Sequence, residues 1–195
     1  MYQNYIKRFL DIIISLIALP FVLITLIPVA ICIYIEDRGP IFYNAPRLGK
    51  GMKEFKMFKY RTMKVNAPDI RNEDGTTFNS ESDIRVTKVG SFLRKTSIDE
   101  LPQFFNVLVG NMSLIGPRPS PLGSKDMYPK EFFKKYEVKP GVTGLNQATL
   151  RNSATMEQRI KNDGYYSDNI SFKLDCTILI KTFSSVILRK NINNH

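Results

Sequence analysis

An uncharged run of 24 residues near the N-terminus, Ile12 to Ile35, constrains this chain more than any other feature of its sequence. As a straight α-helix it would be about 36 Å long, enough to cross a bilayer core of roughly 30 Å. A signal peptide would have a shorter apolar segment and a small-residue cleavage site, and Ile31 is too large to precede a lipidated Cys32. The run is also long for the buried helix of a soluble protein, so it predicts a membrane-anchoring segment.

Two prolines, Pro20 and Pro28, interrupt this run. Each removes a backbone donor and clashes with the preceding helical turn. In lipid, such breaks have to be repaired by neighbouring helices or side chains. The prolines therefore favour a kinked or re-entrant helix, although kinked helices that span a membrane also exist, and the sequence does not say which proline makes the bend.

Basic residues flank the run on both sides. Lys7 and Arg8 precede it, and Pro40–Lys64 contains seven basic residues and one acidic residue. The positive-inside rule places both flanks in the cytoplasm, which a re-entrant helix satisfies and a single span does not. The sequence thus predicts a membrane-anchoring helix with a basic N-terminus over residues 1–38 and a cytoplasmic catalytic domain over residues 39–195.

The overall charge narrows the choice of partner. The chain carries 28 Lys and Arg against 18 Asp and Glu, a formal charge of +10. Such a balance favours an anionic partner, which could be nucleic acid, a lipid surface or a phosphorylated substrate. The two cysteines form neither a metal-binding spacing nor a disulfide framework, which fits a reducing compartment.

Local patterns in the remaining chain predict a mostly helical α+β domain with short strands and interfacial helices. Alternation of apolar and polar residues predicts strands at Arg38–Tyr43 and Glu54–Met63, and apolar spacing predicts helices around Phe92–Arg94 and over Phe104–Val109. The last apolar element, Ile170–Lys190, is too charged to span and is predicted to be a core or an interfacial helix.

Two segments are predicted by their composition. A polar stretch, Asn66–Asp83, reads as a loop with a turn at Asp74-Gly75. In a Lys-rich segment, Tyr128, Phe132, Phe133 and Tyr136 have helical spacing. This aromatic stripe is predicted to pack on the core, and the alternative is a stripe at the level of the lipid headgroups.

Two adjacent carboxylates, Asp99 and Glu100, precede an apolar helix and a Gly-Pro-Arg-Pro sequence at 116–119. Ser97 and Glu100 match a capping box, but a cap at Ser97 would put Pro102 at the fifth helical position, where its ring clashes with the preceding turn. A cap at Asp99 puts Pro102 at the third position, where no donor is needed. This start predicts two partly exposed carboxylates at a helix N-terminus, and a purely structural cap remains an alternative to chemistry.

Cations surround the pair in sequence. Arg94 and Lys95 precede it, and Arg118 follows it between Pro117 and Pro119, which would shape the loop that aims the arginine. Arginine forks and backbone N–H groups are good phosphate ligands. Carboxylates among such cations can bind a divalent metal that also binds phosphate, or supply a nucleophile toward phosphorus.

The chain resembles the bacterial sugar transferase family, the monotopic phosphoglycosyl transferases, over nearly its whole length. The likeness rests on motifs that occur in the family's order, and these are "KRFLD", "RGPIFY", "RLG", "FKMFKYRTM", "RVTKVGSFLRKTSIDELPQFFNVLVGNMSLIGPRP", "KPGVTGLNQ" and "DGYYSDNISFKLD". Such enzymes move a sugar-1-phosphate from a UDP-sugar to undecaprenyl or another polyprenyl phosphate and release UMP. The resemblance implies an enzyme at the cytoplasmic face of the bacterial inner membrane that starts the assembly of an exopolysaccharide, a lipopolysaccharide, a capsule or another surface glycan.

The resemblance also implies roles for individual residues. Asp99 would attack the sugar-bearing phosphorus, form a covalent phosphosugar intermediate and lie close to a Mg²⁺ cofactor. Glu100 would assist, for instance by handling the proton of the incoming polyprenyl phosphate. Arg94 and Arg118 would hold phosphate groups, with Lys59 as a weaker candidate.

The resemblance leaves two roles open for a second motif, near residue 165. Asp163, Tyr165 and Tyr166 match the family's "DGYY" and would either pack in the core or contact the nucleotide. The implied partners are a UDP-sugar, a polyprenyl phosphate and membrane lipid, without nucleic acid, and a homo-oligomer is left open. Two competing interpretations are a non-catalytic basic adaptor for anionic lipid and a hydrolase of UDP-sugars or prenyl diphosphates.

Overall fold

The computed structural model describes residues 1–70, 78, 80, 83–122, 129–150 and 154–187. The turn predicted at Asp74-Gly75 lies outside these residues. The α-helices are α1 (Lys7–Glu36, continuing a π-helical turn at Tyr2–Ile6), α2 (Lys88–Thr96), α3 (Gln103–Val109), α4 (Leu145–Thr149), α5 (Met156–Asp168) and α6 (Phe172–Ile187). The strands are β1 (Ala45–Leu48), β2 (Glu54–Met57), β3 (Ser113–Ile115), β4 (Ser120–Pro121) and β5 (Gly141–Thr143), and 3₁₀ turns lie at Lys50–Met52, Ile98–Glu100 and Lys130–Glu137.

The described chain is mostly helical α+β, as the sequence predicts. β2, β1 and β4 form an antiparallel sheet in that order, and β3 pairs with β5 in parallel. The strand predicted at Arg38–Tyr43 is wrong, because only Phe42 pairs there, in a single bridge with Tyr60. The strand predicted at Glu54–Met63 is shorter than expected and ends at Met57. Ladder pairing stops at the register pair Ala45 with Met57, because Ala45 is the first residue of the antiparallel strand β1.

Helix α1 continues through Pro20 and Pro28 and keeps one side buried. Its buried positions include Asp11, Ser15 and Val22, while most of its apolar side chains are exposed. By length and composition it is the one helix of the described residues that could cross a membrane. A large exposed apolar surface of this kind marks a site of contact with lipid or with a protein.

The N-terminal end of α1 is fixed to the rest of the chain by buried polar contacts. The Arg8 guanidinium donates to the backbone carbonyl oxygens of Val107 and Leu108 at the C-terminal end of α3. The Asp11 carboxylate accepts from the Leu114 backbone N–H at 3.0 Å. A cation at a helix C-terminus and a hydrogen-bonded buried carboxylate are both favourable arrangements.

The C-terminal end of α1 docks on the same body of the protein. The Glu36 carboxylate accepts from the backbone N–H groups of Lys88 at 2.6 Å and Val89 at 2.7 Å, and so caps α2. The next residue, Asp37, pairs with the buried guanidinium of Arg61. Both ends of α1 therefore contact the domain that carries the remaining helices and strands.

The main apolar core lies between β3, α4 and α6. It includes Val107, Met112, Ile115, Tyr166 and Ile178. The helix predicted at Ile170–Lys190 corresponds to α6, which buries Ile178 in this core but leaves Phe172 and Phe183 exposed. Tyr128 of the aromatic stripe lies outside the described residues, and the other three members lie in the 3₁₀ helix Lys130–Glu137. Phe132 and Tyr136 are buried there, which confirms the core interpretation for these two residues.

Candidate active site

The two adjacent carboxylates lie in a single 3₁₀ turn, Ile98–Glu100, between α2 and α3. Ser97 has a φ of 58°, in the left-handed region, and ends α2. The prediction that Asp99 caps the following helix is wrong, since α3 begins at Gln103 and Pro102 occupies the N-cap. Hydrogen bonds of the 3₁₀ turn use the N–H groups of Glu100 and Leu101, and Pro102 follows where its missing donor costs nothing.

Asp99 is more buried than the sequence suggests. It is 2% exposed, because the turn faces the protein interior, so the expectation of a partly exposed carboxylate is wrong for this residue. Its neighbour Glu100 keeps 20% of its side chain exposed. A buried carboxylate that stays ionised needs a close cation, since desolvation otherwise favours the neutral form.

Lys59 supplies that cation. Its Nζ lies 2.7 Å from Asp99 Oδ2 and 3.7 Å from Glu100 Oε1. The backbone N–H of Tyr60 donates to the Asp99 carbonyl oxygen at 3.0 Å, which fixes the Lys59 segment against the turn. The lysine that is a weaker candidate from the sequence is thus the group that contacts both carboxylates.

Arg118 adds a second cation to the cluster. Its Nη2 donates to Glu100 Oε1 at 2.7 Å, and its side chain is 52% exposed. Burial opposes the ionisation of Glu100, but Arg118 and then Lys59 outweigh it and lower the pKa of the Glu100 carboxyl to about 2. The Glu100 carboxylate in turn raises the pKa of the Arg118 guanidinium.

The pKa of Asp99 moves in the opposite direction. Burial raises the pKa of its carboxyl above the ordinary value, with the negative charge of Glu100 in support and Lys59 in partial opposition. Two neighbouring carboxyl groups whose pKa values are pushed apart are typical of sites that assign them different chemical tasks. The more basic Asp99 carboxylate is the better nucleophile of the two.

Arg94 lies beside this cluster. Its Nε donates to Thr62 Oγ1 at 2.9 Å, and burial lowers the pKa of its guanidinium while the charge of Asp99 raises it. The structure therefore brings four of the predicted residues within electrostatic reach of Asp99. These are Lys59, Arg94, Glu100 and Arg118.

The loop that carries Arg118 is held by backbone contacts. Gly116 N–H donates to the Thr143 carbonyl oxygen at 2.9 Å, and Gly141 N–H donates to that of Pro117 at 3.0 Å. A Cβ on Gly116 would overlap the Lys139 carbonyl oxygen, so this close approach requires glycine. Pro117 and Pro119 are both buried. Their position fits the expectation that they shape the loop that presents Arg118.

The "DGYY" residues lie on α5 in different surroundings. Asp163 is buried between Asn146 Nδ2 at 2.7 Å and Lys135 Nζ at 3.1 Å. The Tyr166 hydroxyl donates within the core to the carbonyl oxygen of Ile115 or to Asp175 Oδ1, at 2.9 and 2.8 Å. Tyr165 is 54% exposed. These contacts give Asp163 and Tyr166 a packing role, and nucleotide contact stays a prediction for all three.

One charged residue near the site is absent from the sequence prediction. Lys135 lies within the aromatic 3₁₀ helix and is buried against Asp163. Burial lowers the pKa of the Lys135 ammonium. The positive charge of Arg118 lowers it further, because the two cations repel each other. Its position among surface lysines gives no signal in the sequence that this one is buried.

The carboxylates of the site fit a metal ion that enters together with the phosphorylated substrate. Among the described residues, no three His, Cys, Asp or Glu side chains lie together as a preformed metal site. Mg²⁺ usually takes one or two protein carboxylates and completes its shell with waters and substrate phosphates. The adjacent carboxylates of Asp99 and Glu100 are the protein ligands available to such an ion, and the Lys59 ammonium lies 2.7 and 3.7 Å from their nearest oxygens.

Comparison with known proteins adds a separate line of evidence. The family model described as bacterial sugar transferase matches residues 2–189. The chain is 38% identical, over 94% of its length, to a UDP-N-acetylgalactosamine-undecaprenyl-phosphate N-acetylgalactosaminephosphotransferase of Aeromonas hydrophila. It is 38% identical, over 95% of its length, to a UDP-glucose:undecaprenyl-phosphate glucose-1-phosphate transferase of Klebsiella pneumoniae.

These two relatives are longer proteins. The chain spans 44% of the Aeromonas protein and 41% of the Klebsiella protein. A relative of more similar length is the uncharacterized sugar transferase EpsL of Bacillus subtilis, which is 40% identical over 80% of this chain and 76% of its own. The similarity thus concerns one region of the longer relatives and most of the shorter one.

Proposed function

The chain belongs to the bacterial sugar transferase family, and from this we propose that it moves a sugar-1-phosphate from a UDP-sugar to a polyprenyl phosphate and releases UMP. The geometry around Asp99 supports the proposal independently of family membership. The buried Asp99 carboxylate lies 2.7 Å from the Lys59 ammonium, in a cluster with Arg94, Glu100 and Arg118. A nucleophile among cations suits attack on a phosphorus that carries negative charge.

The proposed reaction has two displacements. In the first, an Asp99 oxygen bonds to the sugar-bearing phosphorus, the bond from that phosphorus to the bridging oxygen breaks, and UMP leaves with the bond's electron pair. In the second, a phosphate oxygen of the acceptor bonds to the same phosphorus, and the Asp99 carboxylate leaves unchanged. Ping-pong kinetics follow from the covalent intermediate.

The three cations of the site have different proposed roles. Lys59 holds Asp99 ionised despite its burial, and Arg118 extends to solvent from Glu100. When a substrate phosphate draws Arg118 away from Glu100, the pKa of Glu100 rises from about 2 and its carboxylate becomes able to accept a proton from the acceptor phosphate. Arg94, whose charge Asp99 already supports, is placed to hold a further phosphate group.

Mg²⁺ is part of the proposal. Asp99 would hold the ion, and Glu100 is the second carboxylate of the cluster. When bound, the ion would neutralise phosphate charge and so reduce the repulsion between two anions.

The membrane arrangement is proposed on the contacts of α1. Arg8 and Asp11 at one end and Glu36 at the other bind the same domain, and the exposed side of the helix between them is apolar. A helix whose two ends are held on one body fits a re-entrant anchor better than a straight span. We place the catalytic domain on the cytoplasmic face of the inner membrane, where UDP-sugars are available.

The test is a donor panel, because the similar proteins are named for different sugars. The purified protein is incubated with each UDP-sugar, Mg²⁺ and undecaprenyl phosphate, and UMP is measured. We expect multiple turnovers with at least one donor only when the acceptor is present. Turnover without acceptor would indicate a hydrolase instead, and no UMP from any donor beside an active relative would contradict the proposal.

A further inference from the structure

A second site lies between the membrane-anchoring helix and α2, away from the carboxylates. A cavity of about 430 Å³ opens there. Its apolar walls come from Pro28, Val29 and Cys32 of α1 and from Val89, Phe92 and Leu93 of α2. Phe92 is 60% exposed at its edge, although an aromatic side chain of this size normally avoids water.

A polar cavity of about 310 Å³ shares Lys88 with the apolar one. It also contains Lys64, and both lysines are exposed. In the part of the chain that the structure describes, neither ammonium makes a close ion pair, whereas the acids of this cavity are engaged. The Glu36 carboxylate caps α2, and Asp37 pairs with Arg61.

The two cavities together match an amphiphile with an anionic head. Pro28 and Cys32 precede Glu36 by eight and four residues, so they lie about 6–12 Å from it along the helix axis. With Glu36 at the level of the headgroups, the apolar cavity opens at the level of the acyl chains. Basic pockets beside a membrane helix on the cytoplasmic side suit anionic headgroups.

The acceptor substrate fits this position poorly. Lys88 begins α2, whereas Asp99 lies beyond its C-terminal end, and nine helical residues span about 13 Å. Reacting atoms have to approach to about 3–3.5 Å, so a phosphate held by Lys88 could not reach the Asp99 site. The occupant should therefore be a lipid that is not consumed.

We propose that this groove binds one anionic phospholipid, with an acyl chain between α1 and α2 and its phosphate on Lys88 and Lys64. The lipid would stabilise the packing of Val29 and Phe92 across the two helices. The inference rests on the proposed membrane location of α1 but not on the transfer reaction.

The experiment compares lipid retention by native mass spectrometry after transfer of the full chain from nanodiscs of phosphatidylglycerol and phosphatidylcholine into detergent. We expect one retained phosphatidylglycerol per chain and at least a 10-fold loss of occupancy in Lys88→Glu and in Lys64→Glu. The control Lys173→Glu, an exposed lysine on α6, should retain the lipid. The inactive Asp99→Asn variant should also retain it, which separates this proposal from the proposed reaction.

Three results would overturn the inference. They are no retained lipid, equal retention of phosphatidylcholine, and retention of undecaprenyl phosphate in preference to phosphatidylglycerol. A groove-filling variant, Val89→Trp, with circular dichroism as a check on folding, gives a second reading. It should exclude the lipid while Lys64 and Lys88 remain, and a folded variant that still retains the lipid contradicts the proposed acyl position.

Discussion

The ammonium of Lys59 lies 2.7 Å from the carboxylate of Asp99, although the two residues belong to different parts of the fold. Lys59 follows β2, and Asp99 follows α2. The backbone N–H of Tyr60 donates to the Asp99 carbonyl oxygen and joins these segments, so the main chain holds the two side chains close together. This contact makes it possible to keep a buried nucleophile ionised.

Replacement of Asp99 by Asn is expected to abolish transfer and yet stabilise the protein. Burial raises the pKa of the Asp99 carboxyl, so at neutral pH its charge is a cost to the folded state. Removing it should raise stability by about 0.5–2 kcal/mol, as at other sites where function is kept at the expense of stability. The gain should shrink as the pH falls toward the ordinary pKa of an aspartate and vanish below it, where the carboxyl is neutral in both states. Thermal unfolding of both proteins between pH 7 and pH 4 measures it, and a lower melting temperature at pH 7 would contradict the account.

Glu100→Gln should show the opposite sign. The folded-state pKa of Glu100 is about 2, below the ordinary 4.5 of a glutamate, so its pairing with Arg118 contributes its full stability above pH 4.5. This contribution is lost as the pH falls from 4.5 toward 2. At pH 7 the variant should lose about 1–3 kcal/mol, the range for a hydrogen bond to a charged group. The same unfolding series measures it, and a loss that persists undiminished at pH 3 would contradict the assigned pKa.

Lys59→Met should lower transfer at neutral pH by about 10–100-fold, which corresponds to the loss of one charged hydrogen bond. Because Lys59 lowers the pKa of both carboxyl groups, the acid side of the pH–rate profile should move to higher pH. Lys59→Arg should recover part of the rate, since the charge is retained. Lys56→Met removes an exposed lysine of β2 and is the matched control. Equal rates for the two methionine variants would exclude Lys59 from the site.

Arg118→Ala should raise the KM for the UDP-sugar, because its half-exposed guanidinium is placed to bind a phosphate. It should also lower the melting temperature about as much as Glu100→Gln does, since both variants break the same ion pair. Arg118→Lys should restore the charge but not the two-pronged hydrogen bonding of a guanidinium. Steady-state kinetics on the three proteins separate binding from turnover. Lys95→Ala, at an exposed position near the end of α2, serves as the control. An unchanged KM in Arg118→Ala would remove this residue from substrate binding.

The proposed re-entrant anchor predicts the accessibility of both flanks of α1. In a background without Cys32 and Cys176, Gln3→Cys and Arg38→Cys place single thiols at exposed positions before and after the helix. A membrane-impermeant maleimide should label both in inverted vesicles and neither in right-side-out vesicles. Lys173→Cys, in the catalytic domain, should behave in the same way. Labelling of the two flanks from opposite sides would establish a single span.

The sequence predicts the helical segments better than the site. Phe92–Arg94 and Phe104–Val109 lie on α2 and α3 as expected, because apolar spacing reports which side of a helix is buried. Where the chain turns between these helices depends on the left-handed Ser97 and on the 3₁₀ hydrogen bonds that precede Pro102. Packing decides both features, so the cap that the sequence predicts at Asp99 is wrong.

The charges are harder to predict than the helices. Lys59 reaches Asp99 because the backbone N–H of Tyr60 donates to the Asp99 carbonyl oxygen, a long-range contact that no local pattern contains. Asp11 belongs by sequence to the flank of a membrane segment, yet its carboxylate binds the N–H of Leu114 in the core. Sequence spacing can indicate which residues are candidates for catalysis. Whether each of them is ionised depends on how deeply it is buried and on which charged groups lie beside it.

The most direct test of the account is to look for the phosphosugar on Asp99. The protein is incubated with the donor that supports turnover and Mg²⁺ but without acceptor, then denatured and examined by intact-mass and peptide-level mass spectrometry. We expect one sugar-phosphate adduct on the peptide that contains Asp99, near-stoichiometric UMP release, and loss of the adduct when undecaprenyl phosphate is added. An adduct on another residue, or turnover to product by a protein that never carries one, would contradict it.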